Sequence, residues 1–288
     1  MINLIRIQVR LLCKRKELYF VFYCLLAISI YSFITKAAYI WNSPETGGML
    51  DYQFSFPAYA NFILHPSYHS HGLLYTFVSL LACPLIFSDS YFIERKGGIQ
   101  YLLFVKVSKK KYLLSKAIVI FIFSVLITAT PLLLNFLWNS LSFPLFSPRD
   151  FTSNISSSDV MSFVANQIFF NKLYFSHPYL YNLYFIFLLS IFAASFSLAV
   201  FGISFCFYKF RAIVNILLFL LTNIIMLLLN MLRMMGVIPN KDVTIVKYFM
   251  PADDSVKYSV YTSYLIIAAL IITFFILLHK ELRRKDEL

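Results

Sequence analysis

Six predominantly apolar runs, each long enough to cross a bilayer as a helix, constrain this chain more than any motif does. A spanning helix needs roughly 20 apolar residues, because a rise of about 1.5 Å per residue must cover a hydrocarbon core of about 30 Å. The runs are Leu18 to Tyr39, Gly72 to Phe92, Tyr112 to Trp138, Tyr179 to Tyr208, Ala212 to Leu232 and Tyr258 to His279. Pro84 and Pro131 interrupt the second and third, which a spanning helix tolerates when neighbouring helices satisfy the freed backbone groups. Composition agrees with this reading. Hydrophobic residues make up 60% of the chain and charged ones 13%, too few to wet a soluble domain whose surface needs about a quarter of all residues charged. The expected class is therefore all-α integral membrane, a single domain over residues 1–288.

The net charge of +12 would suggest nucleic acid in a soluble protein, but here it first reports topology, and no nucleic-acid partner is expected. Basic residues cluster in the N-terminal segment (Arg6, Arg10, Lys14, Arg15, Lys16), between the second and third runs (Arg95, Lys96, Lys106, Lys109 to Lys111) and in the tail (Lys280, Arg283, Arg284, Lys285). These belong in the cytosol, with the short Lys209/Arg211 turn. The stretch Trp41 to His71 holds no Lys or Arg, and Ser140 to Pro178 holds Arg149 and Lys172 alone, so both face outside. Alternation puts Met234 to Lys257 outside as well, despite Lys241, Lys247 and Lys257. Six spans with cytosolic N- and C-termini follow.

Near the N-terminus, Ile2, Ile5, Val9 and Leu12 recur at helical spacing while Arg6, Arg10 and Lys14 form a basic stripe, which describes an amphipathic helix within residues 1–17 lying on the inner membrane surface. A second amphipathic pattern, Val160, Phe163, Val164 and Ile168, falls in the outer loop 139–178. The basic N-terminus followed by an apolar run imitates a secretory signal, but that run is long and rich in bulky aromatics, so it is expected to stay as a span. The terminal Lys285-Asp286-Glu287-Leu288 spells a retrieval signal that a cytosolic tail would leave unread.

Candidate chemistry is sparse. None of the seven glycines begins a GxxxxGK[ST] loop, so no nucleotide-binding P-loop is encoded. No GxSxG elbow or HExxH pair occurs, and this chain by itself is not expected to be an enzyme. The four cysteines show no CxxC spacing. His65, His69 and His71 could bring imidazoles around a metal ion; the alternative is a polar, aromatic band at the membrane interface with Tyr59, Tyr68 and Tyr75. Asp89, Lys36, Lys116 and Arg233 lie near predicted span ends, where long side chains anchor by snorkelling to water. No acidic residue falls in mid-span, which argues against a proton- or sodium-coupled carrier.

The most informative stretch is Ser88 to Lys116, SDSYFIERKGGIQYLLFVKVSKKKYLLSK. Gly97 and Gly98 permit a sharp turn, and Ile99, Leu102 and Leu103 then form an apolar face that needs lipid or protein to pack on. Taken alone, it reads equally as a basic loop that sets topology. Its arrangement of Asp89, Glu94-Arg95, Gly97, Leu102-Leu103, Val107-Ser108 and Lys109 to Tyr112 resembles the type-2 permease family of ATP-binding-cassette (ABC) exporters. The likeness extends to the six-span layout, the Ala193-Ala194-Ser195-Phe196-Ser197 run and the Leu282 to Asp286 tail. Gly98 stands where the family often has Thr, and Ile99-Gln100 where an acidic residue is common.

That resemblance implies a permease subunit with a coupling helix, Ile99 to Val105, inside the cytosolic loop 94–111, docking on a separate ATPase through Glu94, Arg95, Gly97, Ile99, Leu102, Leu103 and Lys109. It implies a pair of ABC ATPase subunits carrying ATP and Mg, a second permease copy or paralogue, and no cofactor in this chain. The path would be lined by spans one, two and five, in a cell membrane of bacterial type, for an amphipathic cargo such as a hydrophobic peptide or lipid-like molecule. Two other classes stay open at this stage: a membrane enzyme with an outer histidine metal site, and a non-transporting sensor or assembly factor.

Overall fold

The computed structural model describes residues 2–42, 57–64, 69–96, 107–145, 170–205, 249 and 260–283. These form helices α1 (Ile2–Cys13), α2 (Lys16–Asn42), α3 (His69–Lys96), α4 (Lys109–Ser142), α5 (Asn171–Ser176), α6 (Pro178–Ser204) and α7 (Val260–Arg283), with a 3-10 turn at Ala58–Asn61. Among the described residues there is no strand. Four helices, α2, α4, α6 and α7, are long and apolar enough to cross a membrane, which makes this a multi-pass membrane protein in outline. Helix α3 covers the second expected span, with a shorter apolar stretch, Ser70–Ile86. The fifth expected span, Ala212 to Leu232, the expected coupling helix and the amphipathic pattern at Val160 to Ile168 lie outside the described residues.

Helices α2, α3 and α4 begin and end a few residues beyond their apolar runs, and α7 ends beyond its own. Backbone hydrogen bonding continues into the polar flanks, where water and side chains satisfy the end groups. At the C-terminal end of α4, for example, the amide of Phe143 donates to the Asn139 carbonyl.

Helix α6 is the centre of the packing: buried positions fill 78% of its apolar window, against 22% in α2 and 17% in α7. It packs against α4, α7 and α3, while α2 lies on α4 and α3. Ala193, Ala194, Ser195, Ser197 and Ala199 keep its surface slim, and all are buried. At Gly202 an added Cβ would stand 3.2 Å from the Leu277 side chain, so α7 rides against α6 where a side chain is missing. The long outward faces of α2 and α7, with Phe20, Tyr23, Tyr261 and Leu265 exposed, are apolar surface of the kind lipid or further helices cover.

Contacts fix the directions of the helices. Ser29 of α2 meets Pro131 of α4 and Phe33 meets Trp138, so α2 and α4 run parallel. Arg15 at the start of α2 reaches Ile86, and Tyr31 meets His71, so α3 runs the other way. Phe136, near the end of α4, packs on Tyr179 at the start of α6, making that pair antiparallel. Tyr184 of α6 meets Tyr264 of α7, and eighteen residues on Gly202 faces Phe274 and Leu277, so α6 and α7 are parallel. Ser204 and Val260 thus mark opposite ends of the bundle. One end collects Arg6, Arg10, Lys14 to Lys16, Lys109 to Lys111, Lys280 and Arg283.

Helix α1 is seated on protein along one stripe. Leu4, Gln8 and Leu12, one stripe at four-residue spacing, are buried and the helix packs on α4. Ile7 and Leu11 on the flank of that stripe are left exposed. Protein takes the middle of the apolar arc and only its edges remain for a membrane surface. A break at Lys14-Arg15 then redirects the chain into α2, with the Tyr19 hydroxyl donating to the Cys13 carbonyl at 2.9 Å.

Candidate functional site

At the basic end, the helix termini that frame residues 97–106 are fixed by two polar contacts. The Arg15 guanidinium donates to the Ile86 carbonyl at 3.0 Å, tying the start of α2 to α3. Lys109 Nζ lies 3.4 Å from Glu281 Oε1, tying the first residue of α4 to the last turn of α7. Glu281 is 5% exposed and Lys109 14%, so this pair is more sheltered than an ordinary surface bridge. Of the residues expected to meet an ATPase, Glu94 and Arg95 fall in the last turn of α3, where the backbone alone is described, and Gly97, Ile99, Leu102 and Leu103 lie outside the described residues. Lys109 is placed, with its ammonium held by Glu281.

The opposite end holds a polar cluster that the sequence reading missed. Ser29, Ser32 and Lys36 occupy one face of α2, and Asn135 and Asn139 one face of α4; all five side chains are buried. Lys36 lies within α2 with 1% of its surface exposed, and its ammonium donates to the Asn61 carbonyl. It does not snorkel, which corrects the anchoring expectation: a buried carbonyl within reach replaces water as its partner. Lys116 is also buried, its Nζ 3.5 Å from the Tyr112 hydroxyl and 5.6 Å from that ring's centroid.

Residues 57–64 form the other half of this cluster. Six of these eight residues are buried, among them Phe62, Ile63 and Leu64, in a segment that is non-helical beyond Asn61. Irregular backbone at membrane depth must find its hydrogen bonds inside the protein. Here three helices and the chain after α4 supply them. Besides the Lys36 bond, Asn135 Oδ1 accepts from the Ile63 amide at 3.2 Å, Asn182 of α6 donates to the Tyr59 carbonyl at 3.0 Å, and the Ala58 amide donates to the Pro144 carbonyl at 2.8 Å. Asn135 also donates to the Ser29 carbonyl at 3.0 Å, and Asn139 to Asn135. Edge-to-face rings wedge the segment from the side: Tyr59 against Tyr174 and Tyr179, and Phe62 against Phe136. Deeper in α4, the Thr128 and Pro131 carbonyls accept from Tyr75 at 2.7 Å and Ser29 at 2.7 Å, which ties α3 and α2 to this helix.

His71, in the first turn of α3, packs its ring 5.5 Å from Tyr31. His69 begins the same helix and His65 lies outside the described residues. Among the described residues, no three His, Cys, Asp or Glu side chains are grouped as metal ligands would be. Chemically, the cluster offers amides, hydroxyls and the buried Lys36 amino group, and these seat the backbone of residues 57–64. The spacing of Ser29-Ser32-Lys36 and Asn135-Asn139 was the sequence signal for it, as polar stripes on otherwise apolar spans. No family model, curated protein or solved structure matches the chain.

Proposed function

We propose that the chain is the membrane-spanning permease subunit of an ABC exporter, acting with a pair of separate ATPase subunits and a second permease, identical or paralogous. It has six spans, with residues 2–13 and 280–283 on the cytosolic side. Five of the spans are the four long apolar helices and α3. The sixth is the Ala212 to Leu232 run, a reading supported by the parallel directions of the neighbours α6 and α7 on either side of it in the chain. The basic end faces the cytosol, where positively charged flanks are retained.

The observation that carries the reading is the Ser88 to Lys116 stretch, with its ERKGG turn, Leu102-Leu103 pair and VSKKKY run. It is supported by where its two borders lie. Lys96 and Lys109 sit at the end shared by α1 and the last turn of α7, so an ATPase docked on residues 97–106 would also reach the basic face of α1. ATP-driven closure of the ATPase pair would then rock the bundle and open its outer end to an amphipathic cargo.

Co-expression with candidate ABC ATPases tests this. A detergent-stable complex is expected to purify with the native chain and to be lost with Leu102→Asp/Leu103→Asp, while the variant chain still inserts. A complex with unchanged ATPase coupling in that variant overturns the docking assignment, and the absence of any ATPase that binds overturns the exporter reading.

A further inference from the structure

Residues 57–64 are seated like a stopper. Asn135 lies seven residues before the end of α4 and Lys36 six before the end of α2, so by a rise of about 1.5 Å per residue the segment reaches roughly 10 Å below the outer helix ends. It fills the junction of α2, α4 and α6 with Phe62, Ile63 and Leu64, none more than 1% exposed. Yet no regular structure joins it to those helices. Its seat includes side-chain bonds to backbone groups, from Lys36 to the Asn61 carbonyl, between Asn135 and the Ile63 amide and from Asn182 to the Tyr59 carbonyl, beside one backbone bond from the Ala58 amide to the Pro144 carbonyl and the ring contacts of Tyr59 and Phe62. Such bonds break one at a time and can be made again, whereas a helix within the bundle moves only as a unit.

The polar groups around the seat are also incompletely used. Ser32 Oγ, one turn below Lys36; His71 Nδ1, on the ring that packs on Tyr31; Asn139 Oδ1, beside Asn135; and Asn182 Oδ1 are all buried and make no hydrogen bond to another group of the chain. Most buried polar atoms are satisfied, and a cluster of exceptions marks a place where a second arrangement is close in free energy. Those of Ser32, Asn139 and Asn182 belong to an anchor residue or sit within a turn of one. Two such atoms among the described residues, those of Gln8 and Ser124, lie elsewhere.

We propose that residues 57–64 are an outer gate, a stopper that leaves its seat between α2, α4 and α6 while the helices stay folded. Its use in releasing cargo rests on the exporter reading; the opening itself does not. Once the segment lifts, the Ser32, Lys36, Asn135, Asn139 and Asn182 side chains face the space it vacates and give the outer end a polar lining.

The test compares two single cysteines in a chain whose native cysteines are replaced by serine or alanine. Both are placed in membrane vesicles with the outer face exposed and probed with a membrane-impermeant methanethiosulfonate. Ile63→Cys reports the segment and Ala193→Cys the core of α6; both native side chains are fully buried. A gate that opens locally gives Ile63→Cys a labelling rate at least tenfold above Ala193→Cys, with no ATPase present. Lys36→Met then raises the Ile63→Cys rate again without raising that of Ala193→Cys. If Lys36→Met raises both, Asn182→Ala replaces it as the loosening change. Equal protection of the two cysteines in the unaltered background, or no selective gain from either anchor variant, overturns the proposal. Failure to find an ATPase partner leaves this measurement standing and counts against the exporter alone.

Discussion

Lys36 shows what a single residue does when a membrane chain buries a charge. An ammonium within a span is costly unless it reaches water or a fixed partner, and here the Asn61 carbonyl is that partner. Methionine at this position would keep much of the side chain's length while removing the donor. The Asn61 carbonyl, in a residue with no exposed surface, would then lose that bond. Lys36→Met is therefore expected to lower stability by about 1–3 kcal/mol, the cost of stranding a buried polar group. Thermal unfolding in detergent micelles checks this, with Arg6→Ala, an exposed change on α1, expected to leave the midpoint within a degree or two. An unaltered midpoint for Lys36→Met would mean the bond contributes nothing. The residue was visible in the sequence as a lysine near the end of a span, but its role was not. Hydropathy scores a side chain against lipid or water, whereas the partner of Lys36 lies 25 residues away in a loop that has no periodicity to read.

Individual helices were far more legible, because a spanning helix satisfies its own backbone and needs only a local apolar pattern. The segments expected from Leu18, Tyr112, Tyr179 and Tyr258 correspond to α2, α4, α6 and α7 with shifts of a few residues at their ends. What the pattern could not give is which face meets which neighbour. Leu4, Gln8 and Leu12 of α1 rest on α4, beside the Ile2, Ile5, Val9 and Leu12 stripe that the spacing singled out. Glu281, four residues after Leu277 and in the last helical turn, gave no sign that it would meet Lys109. That pair has an unusual property at the level of helices. Lys109 stands at the positive N-terminal end of α4 and Glu281 at the negative C-terminal end of α7, each on the unfavourable side of its own macrodipole. Their attraction offsets both. Glu281→Gln should cost about 1–3 kcal/mol by leaving a sheltered ammonium beside a helix N-terminus. The exchange Lys109→Glu/Glu281→Lys restores the pair and places each charge at the end its helix favours, worth roughly 0.3–1 kcal/mol apiece. The exchanged protein should therefore unfold at or above the native temperature in detergent, and a double variant no more stable than Glu281→Gln would show that the contact does not hold α7 to α4.

At the scale of the molecule, the parallel run of α6 and α7 bears on the topology independently of any loop charge. The loop charges conflict, since Lys241, Lys247 and Lys257 fall in a segment that alternation sends outside. The helix contacts involve none of these residues. With Tyr184 on Tyr264 and Gly202 on Leu277, Tyr261 lies toward the end where α6 begins and Arg283 toward the end where it finishes. If the basic end is cytosolic, a cysteine at Leu145 or Tyr261 is expected to react with an impermeant maleimide on intact cells, because both residues are exposed at the opposite end. Cysteines at Lys110 and Arg283, exposed at the basic end, should react only after the membrane is permeabilised. Labelling of Tyr261→Cys and Arg283→Cys from the same side would mean that α7 does not cross. Labelling of Tyr261→Cys from the cytosolic side, with Leu145→Cys outside, would break the parallel pairing of α6 and α7, and with it the odd number of crossings that their directions require between Ser204 and Val260.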